Sequence, residues 1–485
     1  MADLLDKIVV NRPQAQEHLA NVQKWRAWYQ GYVKDFHPYY LYNGRKKVKR
    51  IAKSLQMAKK VSEDWADLLY NEKVKISFSK EEDTARFDDI RESLGLDVII
   101  NQSVEKCFAL GTVGIVFSLT EKNEITISTV EADQIFPITY RNGNIVECAF
   151  VSTVLLQNKT YAYITVHQIG ADGNYVIENA LYELTNTNGT TSGDVALGIA
   201  GESASYWTYS TDSPVPWFAI LKPNCTNNTD SSSPWGVSVF ANAISELKVI
   251  DNTFDALDNE ISNGRMRIMV SADALNYSSD GSAPTEVFDA RETVFHQVPK
   301  DTNQPTSITT VAPSLRTVQL IEALNNTLAS FARKCGLSSE QYVYKAGTQR
   351  IIEQTATEVI SNNSPMYRRM RKHEILLKKY LLDIIHAVSA VYTKAELPSF
   401  IAEGIVIEFD DSIVTDTNVE RTQELRDVDS AILTRAEYRA RWYAEDLETA
   451  QKHVDIAVSE MLKTQLKADT REVMLQANKD QSPEK

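Results

Sequence analysis

Residues 238–262 read SVFANAISELKVIDNTFDALDNEIS, and the spacing of their apolar members sets the reading of everything around them. Phe240, Ala243, Leu247, Ile250, Phe254, Leu257 and Ile261 recur at alternating steps of three and four, the seam of an amphipathic helix. At 1.5 Å per residue the stretch would form a rod of roughly 37 Å. A second seam follows at Val318, Ile321, Leu324, Leu328, Phe331 and Cys335, with Ser314 placed to cap its start and Gly336 to end it. Between the two lie residues 265–313, in which Val298, Ile308 and Val311 are strand-like and Pro284, Pro299, Pro305 and Pro313 punctuate the chain. A third helical stretch runs from near Thr355 to about Tyr392. Pro365 inside it removes a backbone donor and predicts a kink. The order is helix, small β-containing excursion, helix, loop, long kinked helix. Protruding rods of this kind would leave their seams in water on one chain, whereas side-by-side copies in a ring would bury them.

The 485 residues suffice for two to four domains, and 51 basic against 65 acidic residues leave a net charge of −14. That balance excludes a global basic footprint for tight nucleic-acid binding. Cys107, Cys148, Cys225 and Cys335 show no C-x-x-C spacing, which argues against disulfides and zinc. The opening MADLLDKIVVNRPQ is unlike a secretory signal, and no apolar run reaches ~18 residues, so neither export nor a membrane span is expected. The chain reads as an intracellular α+β protein.

In the first seventy residues Trp25, Trp28, Tyr29 and Tyr32 share a helical packing face. Arg45, Lys46, Lys47, Lys49, Arg50 and Lys53 form the most basic run. They lead into SLQMAKKVSEDWADLLYNE, whose Leu55, Ala58, Val61, Trp65 and Leu68 face one way, so the run reads as a solvated flank of that helix. A helix over roughly 95–110 and then period-two strands follow. Among these, ITYRNGNIVECAF carries Asn142-Gly143 between two apolar runs, the signal of a tight hairpin. Residues 186–214, rich in Asn, Thr, Ser and Gly, read as a long loop or an outward hairpin. After the helical centre comes GIVIEFDDSIVTD, a strand ending at Asp410-Asp411. A charged block of two or three short helices then places Leu425, Val428, Ile432 and Leu433 on one face, and the last residues form a polar tail.

Gly111-Thr112-Val113-Gly114 lacks the Gly-Lys-Ser/Thr ending of a phosphate loop and reads as close strand packing. The seven histidines never form H-E-x-x-H, and G-x-S-x-G is absent. The carboxylate pairs Asp88-Asp89 and Asp410-Asp411 read as turn or cap residues. Neither an enzyme nor a bound cofactor or metal is expected. One electrostatic feature remains. In residues 238–262, Glu246, Asp251, Asp255, Asp258 and Glu260 oppose only Lys248, a local net of −4. Asp251, Asp255, Asp258 and Ser262 fall on one stripe, which is a solvated helix face on one chain and an acid-lined wall if copies surround an axis.

The sequence resembles the portal proteins of tailed bacteriophages, of the siphophage type found in Gram-positive hosts. Four stretches carry the resemblance: SLQMAKKVSEDWADLLYNEKVKI with Trp65, Asn71 and Glu72; CFALGTVGIVFSLTEKNEITISTVEADQIFPITYRNGNIVECAF; TATEVISNNSPMYRR; and EFDDSIVTD. The resemblance implies a portal fold with an α/β wing (1–235), a two-helix stem (236–264 and 314–336) and a small α/β clip (265–313). A tunnel loop (337–354) would follow, then a kinked tunnel helix with a return strand (355–419) and a helical crown with a flexible tail (420–485). It also implies a dodecameric ring at one capsid vertex that conducts double-stranded DNA without sequence specificity. Its partners would be the terminase motor, head-completion or adaptor proteins, and major capsid and scaffolding proteins. The location would be the virion, and the host cytoplasm during assembly. Asp251, Asp255 and Asp258 would line the DNA channel, Lys345, Gln349 and Arg350 would meet DNA from the tunnel loop, and Pro365 would set the kink. The run RRMRKHEILLKK after Pro365 could face neighbouring subunits' acids or DNA. The rival readings are an acidic helical scaffold or adaptor without a channel, and a metal-dependent nuclease built on Asp410-Asp411.

Overall fold

The computed structural model of the chain describes residues 12–42, 46–120, 122–156, 159–183, 205–271, 295–298, 308–344, 356–409, 417–430, 432–443, 445–461 and 463. The chain divides into two compact units, Met1–Ile352 with Asn362–Asp410, and Glu353–Ser361 with Asp411–Lys485. Helices and sheets segregate along the chain, as an α+β protein requires.

The first unit opens with helix α1 (Arg12–Tyr29), which buries Trp25 and Trp28 as their spacing predicts. A hairpin of β1 (Pro38–Tyr42) and β2 (Lys47–Ile51) follows, then helix α2 (Met57–Leu69). The basic run therefore does not flank a helix: Lys47, Lys49 and Arg50 lie in β2, where alternation of Val48 with charged neighbours fits a strand exposed to water. Strand β3 (Lys75–Ser77) and helices α3 (Glu81–Ser93) and α4 (Leu96–Leu110) lead into the β region.

There β4 (Val113–Leu119), β5 (Ile125–Glu131) and β11 (Phe218–Leu221) form a three-stranded sheet in the order β11-β4-β5. Strands β6 (Ile135–Arg141), β7 (Asn144–Leu156), β8 (Lys159–Ile169), β9 (Tyr175–Glu183) and β10 (Ser205–Ser210) form a five-stranded antiparallel meander. Asn142 and Gly143 take φ of 52° and 78° between β6 and β7, the left-handed pair that a two-residue hairpin turn needs. Of the two readings of residues 186–214, the hairpin has its return arm: β10 pairs antiparallel with β9, while 184–204 lie outside the described residues. One face of the meander packs Val151, Ile164, Val166 and Ala180 against Ala15 and Leu19 of α1 and against Trp235. The other packs Phe150, Cys148 and Tyr175 against Val116, Val130 and Phe218. Gly111 and Gly114 serve close packing, because a Cβ on Gly111 would come within 2.7 Å of the Gly236 carbonyl oxygen and one on Gly114 within 2.8 Å of Val130.

Two long helices, α5 (Ile244–Asn263) and α6 (Thr317–Cys335), flank a small sheet of β12 (Arg267–Ser271), β13 (Phe295–Val298) and β14 (Ile308–Val311). Strand β12 pairs parallel with β13 and antiparallel with β14. Helix α5 begins six residues later than the periodicity of 238–262 indicates, after a 3₁₀ turn at Ala241–Ala243. Ser314 does not cap α6: the helix starts at Thr317 behind Arg316, with no side-chain cap, whereas Gly336 does end it at φ 94°. Helix α7 (Ala356–Lys394) is continuous through Pro365, and β15 (Val406–Glu408) returns to pair with β3.

In the second unit, α8 (Thr417–Asp429) and α9 (Arg435–Tyr443) are held by Glu424, which accepts from Trp442 Nε1 at 2.6 Å and from Arg441. Thr434 and Glu437 form a reciprocal capping pair at the start of α9. Residues 447–461 are also helical. Leu425 and Ile432 are exposed, so the apolar face expected there is not covered by this chain's own described residues.

Candidate functional site

Helices α5 and α6 run antiparallel, which two ion pairs at opposite ends establish. Lys334 Nζ meets Glu246 at 2.7 Å at one end, and Arg316 Nη2 meets Glu260 at 2.9 Å at the other. Hydrogen bonds from the Arg316 side chain and backbone hold the Glu260 carboxyl down to about 2. At the Glu246 end the seam is closed: Phe240, Ala243, Leu247, Ile250, Leu324, Leu328, Phe331 and Cys335 are all buried. At the Glu260 end it is open, with Ile261 52% and Val318 71% exposed and Leu315 and Met266 exposed beside them.

The acidic stripe of α5 is not a solvent face along its whole length. Asp251 is only 2% exposed. Its Oδ1 accepts the Leu55 backbone N–H at 2.9 Å and its Oδ2 faces His37 Nε2 at 3.1 Å. His37 Nδ1 accepts the Val33 N–H at 2.7 Å, so the ring hydrogen sits on Nε2 and is donated to Asp251. One turn on, Asp255 accepts from Tyr39 Oη at 2.9 Å and from the Lys53 backbone N–H at 3.1 Å. Asp258 accepts from Lys53 Nζ at 2.7 Å. The stripe is thus the socket in which the base of the β1–β2 hairpin and residues 52–55 sit. A wall of free carboxylates is the wrong description for Asp251, because burial with two donors aimed at it fixes its partners within the chain.

The closed end is keyed into the rest of the first unit by Trp65. Its Nε1 donates to the Cys335 carbonyl at 3.1 Å, its ring stacks on Phe108 at 5.4 Å, and His373 meets it edge-on at 4.9 Å. His373 Nδ1 accepts the Asn224 N–H, and burial lowers the pKa of its ring to about 4. Tyr342 donates to Asp64, fixing the chain as it leaves α6 towards 345–355. In the run RRMRKHEILLKK, Met370, His373, Glu374 and Leu377 face inward, while Arg368, Lys372 and Lys378 face out and Arg369 donates to the Arg333 carbonyl at 3.0 Å. Lys345, Gln349, Arg350, Asp410 and Asp411 lie outside the described residues. Among the described residues no group of three or more His, Cys, Asp or Glu side chains is placed to hold a metal, and no helix is long and apolar enough to cross a membrane.

A family model described as phage portal protein, SPP1 Gp6-like, matches residues 12–423. The chain belongs to the phage portal protein family. No curated protein matches it. As a phage portal protein it is a component of the virion capsid that serves DNA packaging, and the family is structural rather than enzymatic. The match extends from α1 into α8, so it takes in both stem-like helices and the whole β region.

Within this portal protein, sequence reasoning brought Asp251, Asp255 and Asp258 together correctly but missed their partners. His37 is 214 residues from Asp251, and no local pattern points from one to the other. The only signal available was indirect: a histidine within an aromatic cluster of Trp28, Tyr32 and Phe36, where a buried ring needs a partner for its N–H.

Proposed function

We propose that the protein works as a closed ring whose α5–α6 hairpins stand side by side around a channel for double-stranded DNA. The observation that carries this is the seam that is buried at the Glu246 end and exposed at the Glu260 end, at Ile261, Leu315 and Val318. Apolar surface costs roughly 25 cal/mol per Å² when left in water, and neighbouring copies would cover it. In this reading residues 1–235 form the wing, α5 and α6 the stem, 265–313 the clip and 337–354 the tunnel loop. Residues 355–419 then give the tunnel helix, bent at Pro365, and its return strand, and 420–485 the crown. The clip docks the terminase motor and later the head-completion protein, while capsid and scaffolding proteins meet the outer surface.

DNA must slide through such a ring. Every phosphate neutralised by a protein cation adds salt-dependent affinity that opposes sliding, so few cations should line the path. Lys345, Gln349 and Arg350 supply transient contacts in this scheme, and the stripe residues are assigned to holding the hairpin instead of to the wall.

Negative-stain imaging of the purified protein tests the reading, with a ring enclosing a central hole as the expected result. Open or small assemblies at every concentration would favour a scaffold without a channel and sink the portal ring. Val318→Glu should leave the free chain folded and block ring formation. Rings that form normally in that variant would show that the open seam is not the subunit contact.

A further inference from the structure

Among the described residues, Tyr39 on one face of the β1–β2 hairpin reaches α5, while Tyr40, Lys47, Lys49 and Ile51 on the other face are exposed. The register pairs Pro38 with Ile51, Tyr40 with Lys49 and Tyr42 with Lys47 on one side, and Tyr39 with Arg50 and Leu41 with Val48 on the other. Tyr39 turns that second side towards Asp255 of α5. The first side faces water: Tyr40 is 65% and Ile51 58% exposed, and Lys47 and Lys49 are exposed between them. Neither Lys47, Lys49 nor Arg50 forms an ion pair among the described residues. An isolated two-stranded hairpin is marginal in water, so a face of this kind gains from cover.

Helix α3 presents the complementary surface. Its Phe87 and Ile90 are buried, while Glu81, Glu82, Asp88, Asp89 and Glu92 are exposed on the opposite side. Glu81, Glu82, Asp89 and Glu92 form no ion pair among the described residues. From Glu81 to Glu92 the helix rises about 16 Å, and a five-residue strand spans about 14 Å. Lys47 and Lys49 are about 7 Å apart along their strand, between the roughly 5 Å rise from Asp89 to Glu92 and the roughly 10 Å rise from Glu82 to Asp89 on the helix.

We infer that the outer face of the β1–β2 hairpin docks on the acidic face of α3 in a second copy of this chain, as a head-to-tail contact between neighbours. The inference rests on the ring reading above. Duplex DNA is the weaker occupant, because phosphates leave Tyr40 and Ile51 uncovered and a few lysines give only weak binding at physiological salt. A head-to-tail contact between two different patches closes into a ring when its rotation allows, which is what this pairing supplies.

Charge reversal tests it. Lys47→Glu with Lys49→Glu, and separately Glu82→Lys with Asp89→Lys, should each raise the protein concentration needed for assembly at least about tenfold, since exposed pairs contribute up to about a factor of five apiece. The two sets combined should restore assembly to within about threefold of the original chain. Rings that ignore either reversal, or folded variants whose combination gives no rescue, overturn the contact. So does loss of binding to a duplex DNA probe with assembly unchanged, which assigns the face to DNA. Should a reversal variant lose native circular dichroism, Lys49→Cys and Asp89→Cys in a Cys225→Ser background replace it. Bismaleimide should then join differently tagged copies, and failure to do so overturns the contact. An original chain that never assembles overturns the ring reading as well, whereas a ring insensitive to these changes overturns only this contact.

Discussion

The two ends of the α5–α6 hairpin carry the same apolar periodicity and the same kind of cross-helix ion pair, yet they differ in what covers them. At the Glu246 end, Leu247, Ile250, Leu324, Leu328 and Phe331 are buried, and Trp65 of α2, which stacks on Phe108 of α4, and Arg369 of α7 donate to the Cys335 and Arg333 carbonyls at the end of α6. At the Glu260 end, Ile261 and Val318 meet water. The acidic stripe shows the same gradient, from buried Asp251 to Asp258, whose only described partner is an exposed lysine. A seam that repeats without decaying in sequence but decays in burial marks where the chain's own packing stops and a neighbour's is expected to begin.

The comparison predicts unequal costs along one stripe, the largest at Asp251. Asp251→Ala strands the His37 Nε2–H and the Leu55 N–H in a buried site, and unmet donors cost about 1–3 kcal/mol each. A loss of about 3 kcal/mol is expected in urea unfolding of the first unit. Asp251→Asn should recover little, since its amide nitrogen would face one of those two donors. A loss below about 1 kcal/mol would mean that the socket is open to water and that the two ends are alike.

The apolar seam sharpens the contrast. Leu328→Ala removes a fully buried side chain and should cost about 2–4 kcal/mol. Val318→Ala should change the free chain by less than about 0.5 kcal/mol and act only on assembly. Equal losses in the unassembled protein would erase the distinction between covered and open ends.

Much of this hairpin is legible in the sequence because helices advertise periodicity and turns advertise left-handed residues. Leu247 and Ile250 on the seam of α5, Gly336 at the end of α6, and Asn142-Gly143 between β6 and β7 all stand where their patterns put them, while Phe240 and Ala243 are buried just ahead of the helix. What escaped depends on long-range partners. Ser314 had the chemistry of a cap, but Arg316 enters α6 with its backbone and side chain bound to Glu260, 56 residues earlier. The basic run before α2 reads as a helix flank because its lysines outweigh Val48 and Ile51, the sparse apolar marks of a strand. On one chain the stripe reads as solvent-facing because nothing local distinguishes an acid awaiting water from one awaiting His37.

Acid offers a further break between the ends, because the buried ring of His373 lies against Trp65 at the covered one. Burial lowers the ring pKa of His373 and of His18 to about 4, against 6.5 for an exposed histidine. Below pH 6.5 the unfolded chain takes up protons that the folded chain refuses. Stability is therefore full above 6.5 and falls as pH drops towards 4. Between pH 6.5 and 5 each such ring should cost about 2 kcal/mol. His373→Gln, which keeps an acceptor for Asn224, should flatten the fall by nearly one proton in urea titrations at successive pH values. A slope unchanged by this variant would place the acid sensitivity elsewhere.

The smallest effect belongs at the far end of the stripe. Asp258 and Lys53 pair at 2.7 Å, but their side chains are 39% and 57% exposed, so water and salt screen the attraction and both side chains lose rotamer freedom in holding it. Asp258→Ala should cost less than about 1 kcal/mol, and that small loss should fade as ionic strength rises from about 0.01 M to 1 M, where the Debye length shrinks from about 30 Å to about 3 Å. The informative measurement is the coupling between Asp258→Ala and Lys53→Ala, compared with that between Asp251→Ala and His37→Ala. A buried, hydrogen-bonded pair should show the larger coupling, and it should not respond to salt. Comparable couplings with comparable salt dependence would mean that both ends of the stripe are equally wet, and the socket assigned to the hairpin would then reduce to a set of surface contacts.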